Sequence, residues 1–102
     1  MLDTIKNILG IKPNTNYKDL ISKGAVILDV RSIAEYQSGH IKGSINIPVD
    51  NLLMNLKKIS KKKTIITCCA SGMRSERAKT LLKQNGYINV YNAGAWSNLK
   101  NL

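Results

Sequence analysis

Cys68 and Cys69 end a β-branched run, Thr64-Ile65-Ile66-Thr67, and are followed by Ala70-Ser71-Gly72-Met73-Arg74-Ser75. A thiol, a stretch of small residues and a cation at the start of a helical pattern are the parts of an anion cradle. Small side chains leave backbone N–H groups free to converge on a ligand, as in nests and at helix N-termini. A cysteine facing that field and Arg74 ionises more readily, because the thiolate meets the positive end of the helix. Free cysteine has a pKa of about 8.5 and is mostly thiol at neutral pH; a drop of ~2 units would make most of it nucleophilic. The pattern therefore supports nucleophilic attack by sulfur on an anionic substrate.

Other uses of the two thiols are narrower. Adjacent cysteines close no loop of chain, so they cannot form a stabilising disulfide framework. With one histidine and no second cysteine pair, a tetrahedral zinc site is not expected, and no cofactor is called for. The competing reading is a buried free cysteine serving as a small hydrophobe at a strand end. A second charged cluster, Asp29, Arg31 and Glu35, has two readings. It could contribute to the field of the site, since Asp29 ends a strand on the same sheet edge as Cys69. It could instead be an ion-pair network that orders the segment from Arg31 to Gly43, and that reading is favoured. His40, between Gly39 and Ile41, is expected to hydrogen-bond locally and shape its turn.

These residues must be carried by elements the pattern predicts. Leu2, Ile5, Ile8 and Leu9 recur at helical spacing, so residues 1–16 read as a short amphipathic helix or extension, broken at Pro13-Asn14. Tyr17 to Lys23 reads as a helix closed by Gly24. Ala25 to Val30 is a continuous apolar run, the pattern of a strand buried on both faces. Ser32 to Gln37 has capping-box spacing, with Glu35 three residues after Ser32. Ser44 to Ile47 is a short strand stopped by Pro48. Asn51 to Lys58 reads as a helix capped by Asp50, with Leu52, Leu53 and Leu56 on one face. The Thr64 strand is followed by a helix from Ser75 to Gln84, a short strand Asn89 to Asn92 and a helical segment from Ala95 to Leu102. Strands alternating with helical patterns predict an α/β fold: a three-layer parallel sheet with helices on both faces. In such sheets ligands bind at the carboxyl ends of strands, where Cys69 falls.

The 102 residues are expected to form one domain, with 43% hydrophobic residues and no Phe, so Ile, Leu and Val fill the core. No apolar run reaches the ~20 residues needed to span a bilayer. The first residues lack a secretory pattern, so a cytoplasmic protein without membrane attachment is expected. Sixteen Lys and Arg against six Asp and Glu give +10, which favours anionic partners through long-range steering. Lys57, Lys58, Lys61, Lys62 and Lys63 are the densest patch, without interleaved aromatics for base stacking. A solvated connection is the favoured reading and no nucleic acid is expected; docking of an acidic protein partner is left open.

Over most of its length, from about Tyr17 to Leu99, the chain resembles a single-domain rhodanese, a sulfurtransferase. Three segments carry the resemblance. The first is Asp29-Val30-Arg31, Glu35-Tyr36 and Gly39-His40-Ile41-Lys42-Gly43-Ser44-Ile45-Asn46-Ile47-Pro48. The second is Cys69 to Ser75, with Gly three and Arg five positions after the nucleophile. The third is Gly86 to Gly94 followed by Trp96. The resemblance implies a Cys69 nucleophile, a substrate-binding loop of Ala70, Ser71, Gly72, Met73, Arg74 and Ser75, and support from Asp29, Arg31 and Trp96, the last near the rim. It further implies a monomer that takes sulfur from a small anionic donor such as thiosulfate and passes it, through a persulfide, to cyanide or a thiol.

Counted from Cys68, the same stretch has the spacing of cysteine-dependent phosphatases and arsenate reductases. Gly72, three positions after Cys69, favours the sulfurtransferase. Cys68 then closes the strand as a buried thiol or acts as a resolving partner. A non-catalytic sulfur-carrier or binding module is the third reading. The family often carries two glycines before the tryptophan, whereas this chain has Gly94-Ala95; if the second position needs a positive φ, Ala95 strains the pocket.

Overall fold

The computed structural model describes residues 15–102, so the helix expected from Leu2, Ile5, Ile8 and Leu9 lies outside the described residues. Four parallel strands form the centre: β1 (Val26–Asp29), β2 (Ile45–Asn46), β3 (Ile65–Cys69) and β4 (Val90–Ala95), in the spatial order β2-β1-β3-β4. Among the described residues three α-helices accompany them, α1 (Tyr17–Ser22), α2 (Ile33–Gln37) and α3 (Met73–Gln84), with 3-10 turns at Val49–Asn51, Leu53–Lys58 and Trp96–Leu99. None of the described helices is long and apolar enough to cross a membrane.

Both faces of β1 and β3 are covered, which is why their sequences read as unbroken apolar runs. Successive side chains alternate between faces. Leu28, Ile65 and Cys69 join Ala78, Leu82, Leu52 and Tyr87 in one core, under α3 and the 3-10 segments. Ile27, Ile66 and Cys68 join Ala93 and Leu99 in the other, packed by Tyr17, Leu20 and Ile21 of α1 and by Trp96. The three-layer parallel arrangement is the one expected. The capping box at α2 is also present: the Ser32 side chain accepts from Glu35 N and the Glu35 carboxylate accepts from Ser32 N.

Three elements differ from their expected form. Residues 51–58 are two 3-10 pieces rather than one helix, with a break at Asn55 (φ −125°, ψ 19°). Asn55 Nδ2 donates to Asn51 O at 2.7 Å, and Tyr87 Oη donates to Leu56 O and Ile59 O. The Asn55 side chain thus occupies the Asn51 carbonyl that an α-helix would give to the Asn55 N–H, which bonds Leu52 O instead. Tyr87 holds the far end of the segment. Leu52 is buried while Leu53 is 54% exposed, so the expected common face is split. Helix α3 begins at Met73, two residues early, because Gly72 takes the left-handed conformation that sets the chain into the helix (φ +106°). Strand β4 runs on to Ala95, and only Trp96–Leu99 after it is helical, as a 3-10 turn.

Candidate functional site

The parity of β3 decides where the two thiols go. Cys68 and Cys69 are adjacent in an extended strand, so they leave it on opposite faces. Cys69 lies on the face of α3, and Cys68 faces Ile27, Ile66, Ala93 and Leu99. A resolving role for Cys68 finds no geometry here, because the sheet separates the two sulfurs.

The turn from β3 into α3 folds back over Cys69. Gly72 N–H donates to Cys69 Sγ at 3.0 Å and Ser75 N–H at 3.4 Å, while Ser75 Oγ lies 3.3 Å from the sulfur. These are groups of the first turn of α3, so the sulfur also sits at the positive end of the helix dipole. Burial by itself would push this thiol up. The Ser75 hydroxyl and the N–H groups of Ser75, Gly72 and Ser71 outweigh it, and the thiol is held below its ordinary value. Cys68 shows the opposite balance. Burial pushes it far up, the Asp29 carboxylate adds to the rise, and Arg31 offsets only part of it.

Of the six loop residues singled out by sequence, Gly72 and Ser75 touch the sulfur and Ser71 acts through its backbone N–H. Ala70, Ser71 and Met73 are exposed at the mouth. Ser75 has support that sequence reasoning missed. Its hydroxyl donates to Asn92 Oδ1 at 2.6 Å, Asn92 Nδ2 donates to Gly72 O at 3.2 Å, and Gly94 N–H donates to Asn92 Oδ1 at 2.8 Å. Thr67 Oγ1 donates to Ser75 O at 3.0 Å. With its proton on Asn92, the Ser75 oxygen can accept from the thiol; after ionisation the hydroxyl can turn its proton to the sulfur. The hint in the sequence was an Asn within a strand pattern, where Asn is normally depleted.

The charged residues sort into pairs. Asp29 and Arg31, both buried, make a multiply bonded ion pair at 2.8–3.1 Å, and Arg31 also donates to Gly39 O at 2.7 Å. Arg31 stacks on Trp96, 4.5 Å from the ring centroid. This ties the segment after β1 together, which is what the ordering reading expects. Glu35 is not part of that network. It binds Arg74 instead, bidentately at 2.7 and 3.0 Å, and this holds its carboxyl down at about 2. Arg74, expected to offer its charge to the substrate, therefore has that charge matched by a carboxylate from α2. His40 is local: Nδ1 lies 2.8 Å from Tyr36 O and the ring stacks on Tyr36.

A family model for the rhodanese-like domain matches residues 13–101. The chain belongs to the rhodanese-like domain family. Among solved rhodanese-like structures, a rhodanese-related protein from Thermoplasma volcanium is 34% identical, with a TM-score of 0.70, covering 84% of this chain and 91% of that one. A rhodanese-like domain protein from Staphylococcus aureus is 33% identical (TM-score 0.71, covering 80% of each chain). Among curated proteins, a tRNA uridine(34) hydroxylase of Buchnera aphidicola is 36% identical over 78 residues, 71% of this chain and 25% of that one. A Bacillus subtilis protein, YrkF, named provisionally as a sulfur carrier, is 38% identical over 66 residues, 65% of this chain and 36% of its own length. The chain thus spans between about a quarter and about a third of those two curated relatives.

The departure from the rhodanese pattern at Gly94-Ala95 is harmless to the backbone. Gly94 takes the positive φ (+77°), while Ala95 is extended at φ −63°, ψ 138°. The bend comes at an irregularity in the β3–β4 ladder, where Thr67 pairs with Asn92 but Cys69 pairs with Ala95. One extra residue on β4 there lets Asn92 reach under the loop.

Proposed function

We propose that this rhodanese-like domain is a sulfurtransferase, taking sulfane sulfur from thiosulfate or a persulfide donor onto Cys69 and passing it to cyanide or a thiol. The observation that carries the reading is the Cys69 sulfur under the N–H groups of Gly72 and Ser75. The thiolate attacks the outer sulfur of the donor, the S–S bond breaks, and its electron pair leaves on sulfite or on the donor thiolate. The second nucleophile then attacks the outer sulfur of the Cys69 persulfide and restores the thiolate. In both steps negative charge sits at one place, and donors fixed in advance stabilise it without rearranging. The provisional naming of YrkF as a sulfur carrier supports the same first step. A phosphatase built on Cys68 is disfavoured, because that sulfur faces the other core and its ionisation is suppressed.

The test is turnover with thiosulfate and cyanide, read as thiocyanate formed. The parent is expected to turn over and Cys69→Ser to lose at least about a thousandfold, the scale on which enzymes depend on their nucleophile. Thiocyanate formation retained by Cys69→Ser would contradict the reading.

A further inference from the structure

The arginines of this chain all lie at the carboxyl edge of the sheet, and each is matched by a carboxylate. Arg31 binds Asp29, Arg74 binds Glu35 and Arg77 binds Asp50. The lysine cluster that supplies much of the +10 precedes β3, at the far end of the strand. From Lys63 to Cys69 is six residues of extended chain, roughly 20 Å, or about two and a half Debye lengths at physiological salt. That cluster cannot replace charge at the mouth. Of the lysines following the site, Lys100 has its ammonium over the Trp96 ring at 4.3 Å.

We infer that Glu35 is a donor-selecting residue: its bidentate hold on Arg74 withholds positive charge from the Cys69 loop and biases the site toward a thiol-bound persulfide over a dianionic donor such as thiosulfate. The inference rests on the sulfurtransferase reading and names which donor class the site prefers. Charge counting supplies the reason. Thiolate attack on thiosulfate gathers three negative charges, and the products, a Cys69 persulfide anion and sulfite, carry the same three. Attack on R–S–SH gathers one, giving Cys69–S–SH and RS⁻. The N–H groups of Gly72 and Ser75 already serve the thiolate. The extra charge of a sulfonate needs a cation, and the neighbouring guanidinium is engaged at 2.7 and 3.0 Å. Arg74 immediately precedes Ser75, whose backbone and hydroxyl meet the sulfur, and it interacts electrostatically with Cys69. Glu35 also fixes where Arg74 points, from the N-terminal turn of α2.

The experiment measures Cys69 persulfidation rates by intact mass with two donors, thiosulfate and N-acetylcysteamine persulfide. It compares the parent, E35Q, E35A and E35Q/R74A. Glutamine at this position keeps the capping-box acceptor, whereas E35A gives it up, so a shift shared by both variants does not come from the cap. The expected result is that the thiosulfate-to-persulfide rate ratio rises about tenfold in E35Q and E35A. The rise should collapse near about 1 M salt, where the Debye length is ~3 Å, and vanish in E35Q/R74A. A ratio that is unchanged or lower in E35Q, or a rise that survives removal of Arg74, overturns the inference. Failure of the parent to take sulfur on Cys69 from either donor would instead sink the sulfurtransferase reading beneath it.

Discussion

Cys68 and Cys69 share a peptide bond, a strand and complete burial, yet their surroundings push their thiols in opposite directions. Cys69 leaves β3 on the side of α3, where the first helical turn supplies N–H groups and a hydroxyl. Cys68 leaves it toward aliphatic side chains, opposite Asp29 in the neighbouring strand. Burial raises both. What separates them is whether hydrogen-bond donors reach the sulfur, so the ease of ionisation here is set by strand parity and not by exposure or by the cysteine itself.

The contrast can be broken most strongly through Asn92, which holds Ser75 and the Gly72 carbonyl from below. Asn92→Ala leaves a buried hydroxyl and carbonyl without that partner, a penalty of about 1–3 kcal/mol each. Part of that loss falls on the thiolate. The iodoacetamide rate of Cys69 at mildly acid pH is expected to drop by about tenfold, the equivalent of ~1.4 kcal/mol. An unchanged rate in a folded variant would show that the N–H groups alone set the thiol.

A smaller effect separates the two thiols by pH. The raised Cys68 thiol stays protonated in the folded chain while the unfolded chain ionises above about pH 8.5, so stability falls as pH rises through that value. By about pH 9.5 this costs ~1.4 kcal/mol relative to neutral pH, and Cys68→Ala should remove that share. Cys69 runs the other way: its lowered value adds stability as pH rises from the folded value toward 8.5, a gain lost as pH falls again. Denaturant unfolding of parent and Cys68→Ala at both pH values checks the sign. Equal pH dependence in the two proteins would mean that Cys68 ionises as freely folded as unfolded.

Much of this was legible in the sequence because it is local. The apolar run after Gly24 marked β1, the β-branched run ending in two cysteines marked β3, and the Ser32-to-Glu35 spacing marked the cap of α2. What stayed hidden depends on chain far away. Glu35 reaches Arg74 across 39 positions and Ser75 reaches Asn92 across 17, and no periodicity encodes such pairs. The segment 51–58 differs for a local reason that periodicity does not carry: the Asn55 side chain takes the Asn51 carbonyl, and the Asn55 N–H turns to Leu52 O instead.

The central claim is that Cys69, and not its neighbour, carries sulfur. Intact-mass measurement after thiosulfate treatment of the parent, Cys68→Ser and Cys69→Ser tests it directly. The parent and Cys68→Ser should each gain a single sulfur and Cys69→Ser none. Sulfur gained by Cys69→Ser, or lost with Cys68→Ser in a folded protein, would contradict the account.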